Sequence, residues 1–368
     1  MAFGVYVHVP FCARRCDYCD FATWTDRHHL MEAYAAACVT DLTRRRQTGP
    51  VPAATSVFFG GGTPSLLPPE LLVGILDAVP RTEGCEVTVE CNPDTVTPDL
   101  VAAYKAGGVN RLSFGVQSMV PGVLRALGRT HDPAGVARAV AVARAAGFDN
   151  FNLDLIYGAD GESAADWRAT LEAALALDPP HVSAYALTVE AGTPLARRIG
   201  AGEVAAPDDD DQAGKYLAAD AALSAAGRAW YEISNWARPG RECRHNLLYW
   251  EQGEYLGVGC AAHGHTPAGR RWWNVRTPDR YIDLIRSGDV PEGGHEVLDD
   301  PGREAEATML ALRTRHGVPW TEAAGALVAD GLAERHGDRA VLTATGRLLA
   351  NEATTRLLRA ADRAHSSC

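Results

Sequence analysis

The chain has 368 residues, 46% of them hydrophobic and 22% charged, with a formal net charge of −11. This composition describes a folded globular protein, not a disordered one, and it leaves room for a barrel of about 200–250 residues plus a smaller module. The acidic balance argues against a chain built to wrap nucleic acid, because a phosphate backbone needs a basic face.

Val5, Val7 and Val9 alternate with Tyr6 and His8, which predicts a strand. The first eleven residues are apolar but lack a basic leader, and Pro10 stops them early, so they do not read as a signal peptide. Cys12, Cys16 and Cys19 follow at once as C-x₃-C-x₂-C. Three thiolates on one tight loop can hold three irons of a cubane iron–sulfur cluster, and the loop supplies no fourth, so one iron stays open to an exchangeable ligand. The alternative is a structural zinc completed by His28 or His29. Zinc modules usually pair two distant cysteine couples, and no second C-x₂-C exists here, so the cluster is preferred. Nine cysteines without a framework spacing point to a reducing compartment, with Cys368 a free thiol. No apolar run approaches the ~20 residues of a membrane span, and a cytoplasmic protein is expected.

Helix-like and strand-like segments then alternate. Helices are predicted over residues 28–46, 71–79, 99–106, 134–146, 164–176 and 210–226, and strands over 56–59, 86–90, 111–116, 151–156 and 182–187. Six β–α units imply an α/β fold with a parallel sheet, better suited to a partial (βα)6 TIM-like barrel than to a closed eightfold one. Chemistry in such barrels collects at the carboxyl ends of the strands. Asp208–Asp211 reads as an acidic helix N-terminus or a solvated loop. The barrel is expected over residues 1–235 and a connecting segment over 236–298. Residues 299–368 read as a small, mostly helical, winged-helix-like module, with helices at 304–313, 321–326 and 327–334 and a hairpin wing at 339–343. Its fold does not by itself assign a function.

Several polar groups fall at strand tips. Gly60, Gly61 and Gly62, with Thr63 after them, end the second strand, where missing side chains let a ligand reach the backbone. Glu90 closes the third strand as a carboxylate able to grip two ribose hydroxyls. Gln117 ends the fourth, Arg129 follows soon after, and Asp154 lies inside an apolar fifth strand, where an acid needs a partner or a function. Singly, each reads as a structural hydrogen bond; their recurrence on successive tips points to a shared ligand. Farther on, His245 stands in a run with Tyr249 and Trp250, and an imidazole beside aromatic rings is a haem-ligand candidate as well as ordinary packing. His263 and His265 are further candidates that read more simply as a polar lining.

Together these motifs cover nearly the whole chain and resemble the HemN-like branch of the radical S-adenosylmethionine (SAM) superfamily, which includes oxygen-independent coproporphyrinogen III oxidases and the HemW haem chaperones. The resemblance implies a [4Fe-4S] cluster on Cys12, Cys16 and Cys19, with SAM on the open iron and able to yield a 5′-deoxyadenosyl radical. It carries SAM contacts onto Tyr6, Tyr18, Gly61, Gly62, Thr63, Glu90, Gln117, Arg129, Asp154 and Ala186. The oxidases carry a fourth cysteine where this chain has Phe21, and a long N-terminal extension before the first strand. The His-Asn-x-x-Tyr-Trp motif associated with haem in the chaperones is present as His245 to Trp250. The chaperone side is therefore implied: haem held through His245 and passed to acceptor haem proteins, membrane-bound respiratory ones among them, with coproporphyrinogen oxidation as the alternative. A homodimer is left open, and no nucleic acid is implied.

Overall fold

The structure, a computed structural model, describes residues 2–366; Cys368 lies outside them. One sheet carries twelve strands: β1 (Phe3–Val9), β2 (Ala54–Gly61), β3 (Arg81–Cys91), β4 (Arg111–Gln117), β5 (Phe151–Tyr157), β6 (His181–Ala186), β7 (Ala229–Glu232), β8 (Asn235–Ala237), β9 (Glu254–Val258), β10 (His263–His265), β11 (Arg270–Asn274) and β12 (Glu292–Val297). Their order is β12-β11-β10-β9-β1-β2-β3-β4-β5-β6-β8-β7. β9 and β1 to β6 run parallel to their neighbours, and antiparallel strands flank them on both sides. The two edge strands do not pair with each other, so the sheet stays open, as a partial barrel requires.

The predicted helices follow the parallel strands, as Met31–Thr48, Pro69–Ala78, Pro98–Ala106, Pro133–Ala145, Ala164–Ala176 and Asp209–Ala225. Pro69, Pro98 and Pro133 each open a helix, where the missing N–H would have had no intrahelical partner. Asp208 accepts from the Asp211 N–H at 2.8 Å, so the acidic run is a helix start.

Register sorts the strand residues into two unlike faces. Phe59, Val89, Leu112 and Phe151 lie side by side across β2 to β5 and are buried in the main core. One residue on, Glu90, Ser113, Asn152 and His181 form a cross-strand row from β3 to β6, and Gly115, Asp154 and Ser183 form the next. Parallel strands covered on both faces normally read as continuous apolar runs. A polar inner face therefore marks the place where this barrel spends stability on a site.

Residues 236–298, expected as a connection, supply β9 to β12 and so build the far side of the sheet against β1. The C-terminal residues form a separate three-stranded sheet, β13 (Val318–Pro319), β14 (Ala333–His336) and β15 (Arg339–Leu342), in the order β13-β15-β14. Leu312, Leu327, Leu332, Leu342 and Leu357 contribute to its own core. The hairpin of β14 and β15 lies where a wing was expected. The helix predicted over 327–334 is corrected: Gly331 adopts φ +72°, the Leu332 N–H returns to the Leu327 carbonyl at 2.9 Å, and the chain continues as β14. A left-handed glycine ends the helix there. Among the described residues, no helix is long and apolar enough to cross a membrane.

Candidate functional site

The cysteine loop is pinned at its base. Phe11 and Trp24 form an isolated bridge, the Cys12 N–H donates to the Trp24 carbonyl at 3.0 Å, and the Trp24 N–H donates to the Pro10 carbonyl at 2.8 Å. The His28 ring donates to the Cys12 carbonyl at 2.9 Å, which gives it a structural task in place of the zinc-ligand role. Among the described residues no three His, Cys, Asp or Glu side chains converge as a single metal ion requires. Gly62 packs beneath the loop: a Cβ there would fall 2.7 Å from the Phe11 carbonyl oxygen and 3.1 Å from Cys12 Sγ. Thr63 Oγ1 lies 3.7 Å from Cys12 Sγ, and Arg129 Nη1 lies 3.5 Å from Cys16 Sγ. Burial pushes the Cys12 thiol up and the Cys19 thiol to about 11. Metal ligation reverses that, since a coordinating thiol is deprotonated outright.

All three cysteines line one cavity of about 550 Å³, together with Tyr18, Gly61, Gly62, Thr63, Glu90, Gln117, Arg129, Asp154 and Ala186. Thus loop and strand tips do converge. Gln117 takes φ +62°, a left-handed conformation rare for a residue with a side chain; such strain concentrates at ligand sites. Arg129 is held by its Nη2 donating to the Gly115 carbonyl at 2.7 Å. Asp154 accepts from Ser113 Oγ and Asn152 Nδ2, both at 2.7 Å, yet burial still raises its carboxyl above the usual range. Behind it Asn152 Oδ1 meets His181 Nδ1 at 2.6 Å, and His181 Nε2 meets the Tyr231 hydroxyl at 2.8 Å. Sequence reasoning missed Ser113, Asn152, Ser183 and His181; their signal was polar residues recurring at every second position of otherwise apolar strands.

Tyr6 departs from the set. It lines a second, adjoining cavity of about 1030 Å³, which shares Asp20, Phe21, Gly61 and Glu90 with the first. Its hydroxyl lies 3.2 Å from His8 Nδ1. Phe21 is 60% exposed at this junction. Tyr249, Tyr255, His263, His265 and Trp273 line the larger cavity as well.

His245 is 1% exposed, on the short helix Arg244–Trp250. Its Nδ1 is 2.9 Å from Ser56 Oγ and its Nε2 is 2.8 Å from the Tyr249 hydroxyl. The ring stacks on Phe58 at 5.5 Å, and burial lowers its pKa to about 3. Glu86, unremarked in the sequence, accepts from the Arg244 N–H at 2.9 Å at the start of this helix. Both His245 nitrogens are engaged, so in this arrangement it anchors Tyr249 and offers no lone pair to a metal. His245→Ala is expected to cost about 2–4 kcal/mol, from two lost hydrogen bonds and a buried void, as read by denaturant unfolding. A loss under about 0.5 kcal/mol would contradict the anchoring role.

The family model of the radical SAM superfamily matches residues 6–174. The chain is 45% identical to "Heme chaperone HemW" of Mycobacterium tuberculosis (strain CDC 1551 / Oshkosh), covering 97% of this chain and 95% of the relative. It is 38% identical to the protein of that name from Escherichia coli (strain K12), covering 83% of each. Among solved structures, the coproporphyrinogen III oxidase HemN of Escherichia coli superposes with a TM-score of 0.83 at 21% identity, over 96% of this chain and 89% of that one. That likeness shows a shared fold.

Proposed function

The chain belongs to the HemW family of the radical SAM superfamily, and from that premise we propose that it binds haem and passes it to acceptor haem proteins, with a [4Fe-4S] cluster on Cys12, Cys16 and Cys19 and SAM at the fourth iron. The observation that supports this reading best is the pair of adjoining cavities: one gathers the three cysteines with the polar strand tips, the other is macrocycle-sized, and Phe21, Gly61 and Glu90 line both.

When bound, cluster and SAM together supply one-electron chemistry at the sulfonium. In this reading the backbone of Gly61 and Gly62 with Thr63 receives the amino group of SAM, Arg129 its carboxylate and Glu90 its ribose. Tyr18, Gln117, Asp154 and Ala186 complete the wall, and Tyr6 acts from the adjoining cavity. Acceptors are proposed among cytoplasm-facing haem proteins, membrane-bound respiratory ones included.

The test is anaerobic titration of the reconstituted chain with haem, followed by mixing with an apo-acceptor. Saturable uptake near one equivalent, a Soret band and its transfer to the acceptor are expected. Failure to take up haem, or formation of protoporphyrinogen from coproporphyrinogen III with SAM and reductant, would overturn the reading in favour of an oxidase or another radical enzyme.

A further inference from the structure

We propose that the larger cavity is the haem seat and that His265 supplies the axial ligand. This rests on the haem-binding reading above and assigns it to particular residues. At about 1030 Å³ the cavity lies at the upper end of the range for small-molecule sites, about 300–1,000 Å³, as a tetrapyrrole requires. Tyr249, Tyr255 and Trp273 give it flat apolar walls.

Three histidines line it: His8, His263 and His265. His8 has both nitrogens occupied, Nδ1 3.2 Å from the Tyr6 hydroxyl and Nε2 2.9 Å from the Ala22 carbonyl. His263 has no hydrogen bond to fix its ring among the described residues, and lies 6.0 Å from Trp273. His265 differs from both. Its Nδ1 is 2.9 Å from the Gly253 carbonyl, which can only accept, so Nδ1 carries the proton and Nε2 keeps its lone pair. Nε2 has no partner among the described residues. The ring stacks on Tyr255 at 5.9 Å and 26°, and Tyr255 meets Tyr249 edge-on at 4.7 Å. An imidazole fixed through Nδ1–H to a backbone carbonyl is the arrangement that orients a histidine ligand and raises its basicity.

Backbone strain and charge fall in the same place. Gln252, next to the Gly253 carbonyl that holds His265, adopts φ +50°, and Ala261 adopts φ +55°. Both line the cavity, and non-glycine residues held in this region mark ligand sites. At the rim Arg271 is already paired with Glu296 and Glu306, whereas Arg276 is exposed and has no ion pair among the described residues. Arg276 is therefore the cation for a propionate.

The experiment titrates the full chain with haemin anaerobically and follows the Soret band and tryptophan fluorescence. His265→Ala is expected to weaken binding at least about tenfold and to lose the histidine-ligated spectrum, with added imidazole restoring it. Arg276→Glu, a surface change that leaves folding intact, should weaken haemin about fivefold and leave haemin dimethyl ester unaffected. Unchanged affinity and spectrum in His265→Ala would overturn the assignment, as would loss and imidazole rescue in His245→Ala instead. A wild-type chain that takes up no haem would defeat the functional reading itself, a result distinct from either.

Discussion

Serine at Cys12, Cys16 or Cys19 is expected to leave the chain with under about a tenth of the iron bound by the wild type, and without its broad visible absorption. The wild type, reconstituted with iron and sulfide under nitrogen, should hold roughly four irons per chain. The effect is nearly all-or-none because a cubane already lacking one protein ligand has little left when it loses a second. The informative control is Cys91, which lines the same cavity but has its thiol 3.6 Å from the Val89 carbonyl. Cys38, Cys85, Cys243 and Cys260 are buried away from that cavity. Cys260 packs against the Tyr34 hydroxyl at 3.5 Å, and Cys243 precedes the helix that holds His245. Serine at any of these five should preserve the iron content. Iron loss in Cys91→Ser as complete as in Cys16→Ser would disprove the three-cysteine assignment.

The barrel strands were legible because each is a short run with apolar residues at alternate positions and a helix of ordinary length behind it, and because the parallel neighbours β1 to β6 are also neighbours in sequence. β9 to β12 were not legible for the opposite reason. β9 pairs with β1 across some 250 residues, Phe3 against Glu254, and no local pattern announces such a partnership. β10 is His-Gly-His and β12 begins Glu-Gly-Gly-His, which carry turn chemistry more than strand propensity. The cost of that gap fell on the second cavity: His263 and His265 do line it, as expected, but the walls they face come from segments with no readable place in the sequence.

The first cavity was more transparent. Gly61, Glu90, Gln117 and Ala186 lie at strand tips, and a tip can be located from the strand alone. Tyr6 lines the adjoining cavity, and its position beside the cysteine loop in sequence does not say which way a strand residue points. With Val5, Val7 and Val9 fully buried in the core, Tyr6 and His8 must face the other side, and there they meet the second cavity. The motif around His245 does not show that its ring nitrogens meet Ser56 and Tyr249, because both partners are set by packing distant in sequence or by a helix turn.

Glu90 joins the two cavities and is the group whose removal should change the pH response of the whole fold. Burial and the neighbouring Asp154 raise its carboxyl from 4.5 to about 8, against the opposing pull of the Gly61 N–H and Arg111. In the unfolded chain the same carboxyl ionises near 4.5, so between the two values the folded state holds a proton that the unfolded state has released. The stability tied to that proton is fully present below about pH 4.5. It falls by about 1.4 kcal/mol per pH unit as the pH rises, and it is lost once the pH passes about 8. The total is on the order of 5 kcal/mol, large against the net stability of a domain. Glu90→Gln cannot ionise, and its amide oxygen can still accept from Gly61, which donates to Glu90 Oε2 at 3.2 Å. In the chain without cluster or SAM, the two proteins should melt together at pH 5, and the variant should melt roughly 5–10 °C higher at pH 8. Ribose hydroxyls donating to Glu90 would favour its carboxylate, so bound SAM should flatten the wild-type slope. Parallel melting curves from pH 5 to pH 8 would show that Glu90 ionises as an ordinary carboxylate. The floor shared by the two cavities would then carry a fixed negative charge, in place of one that ligand binding creates.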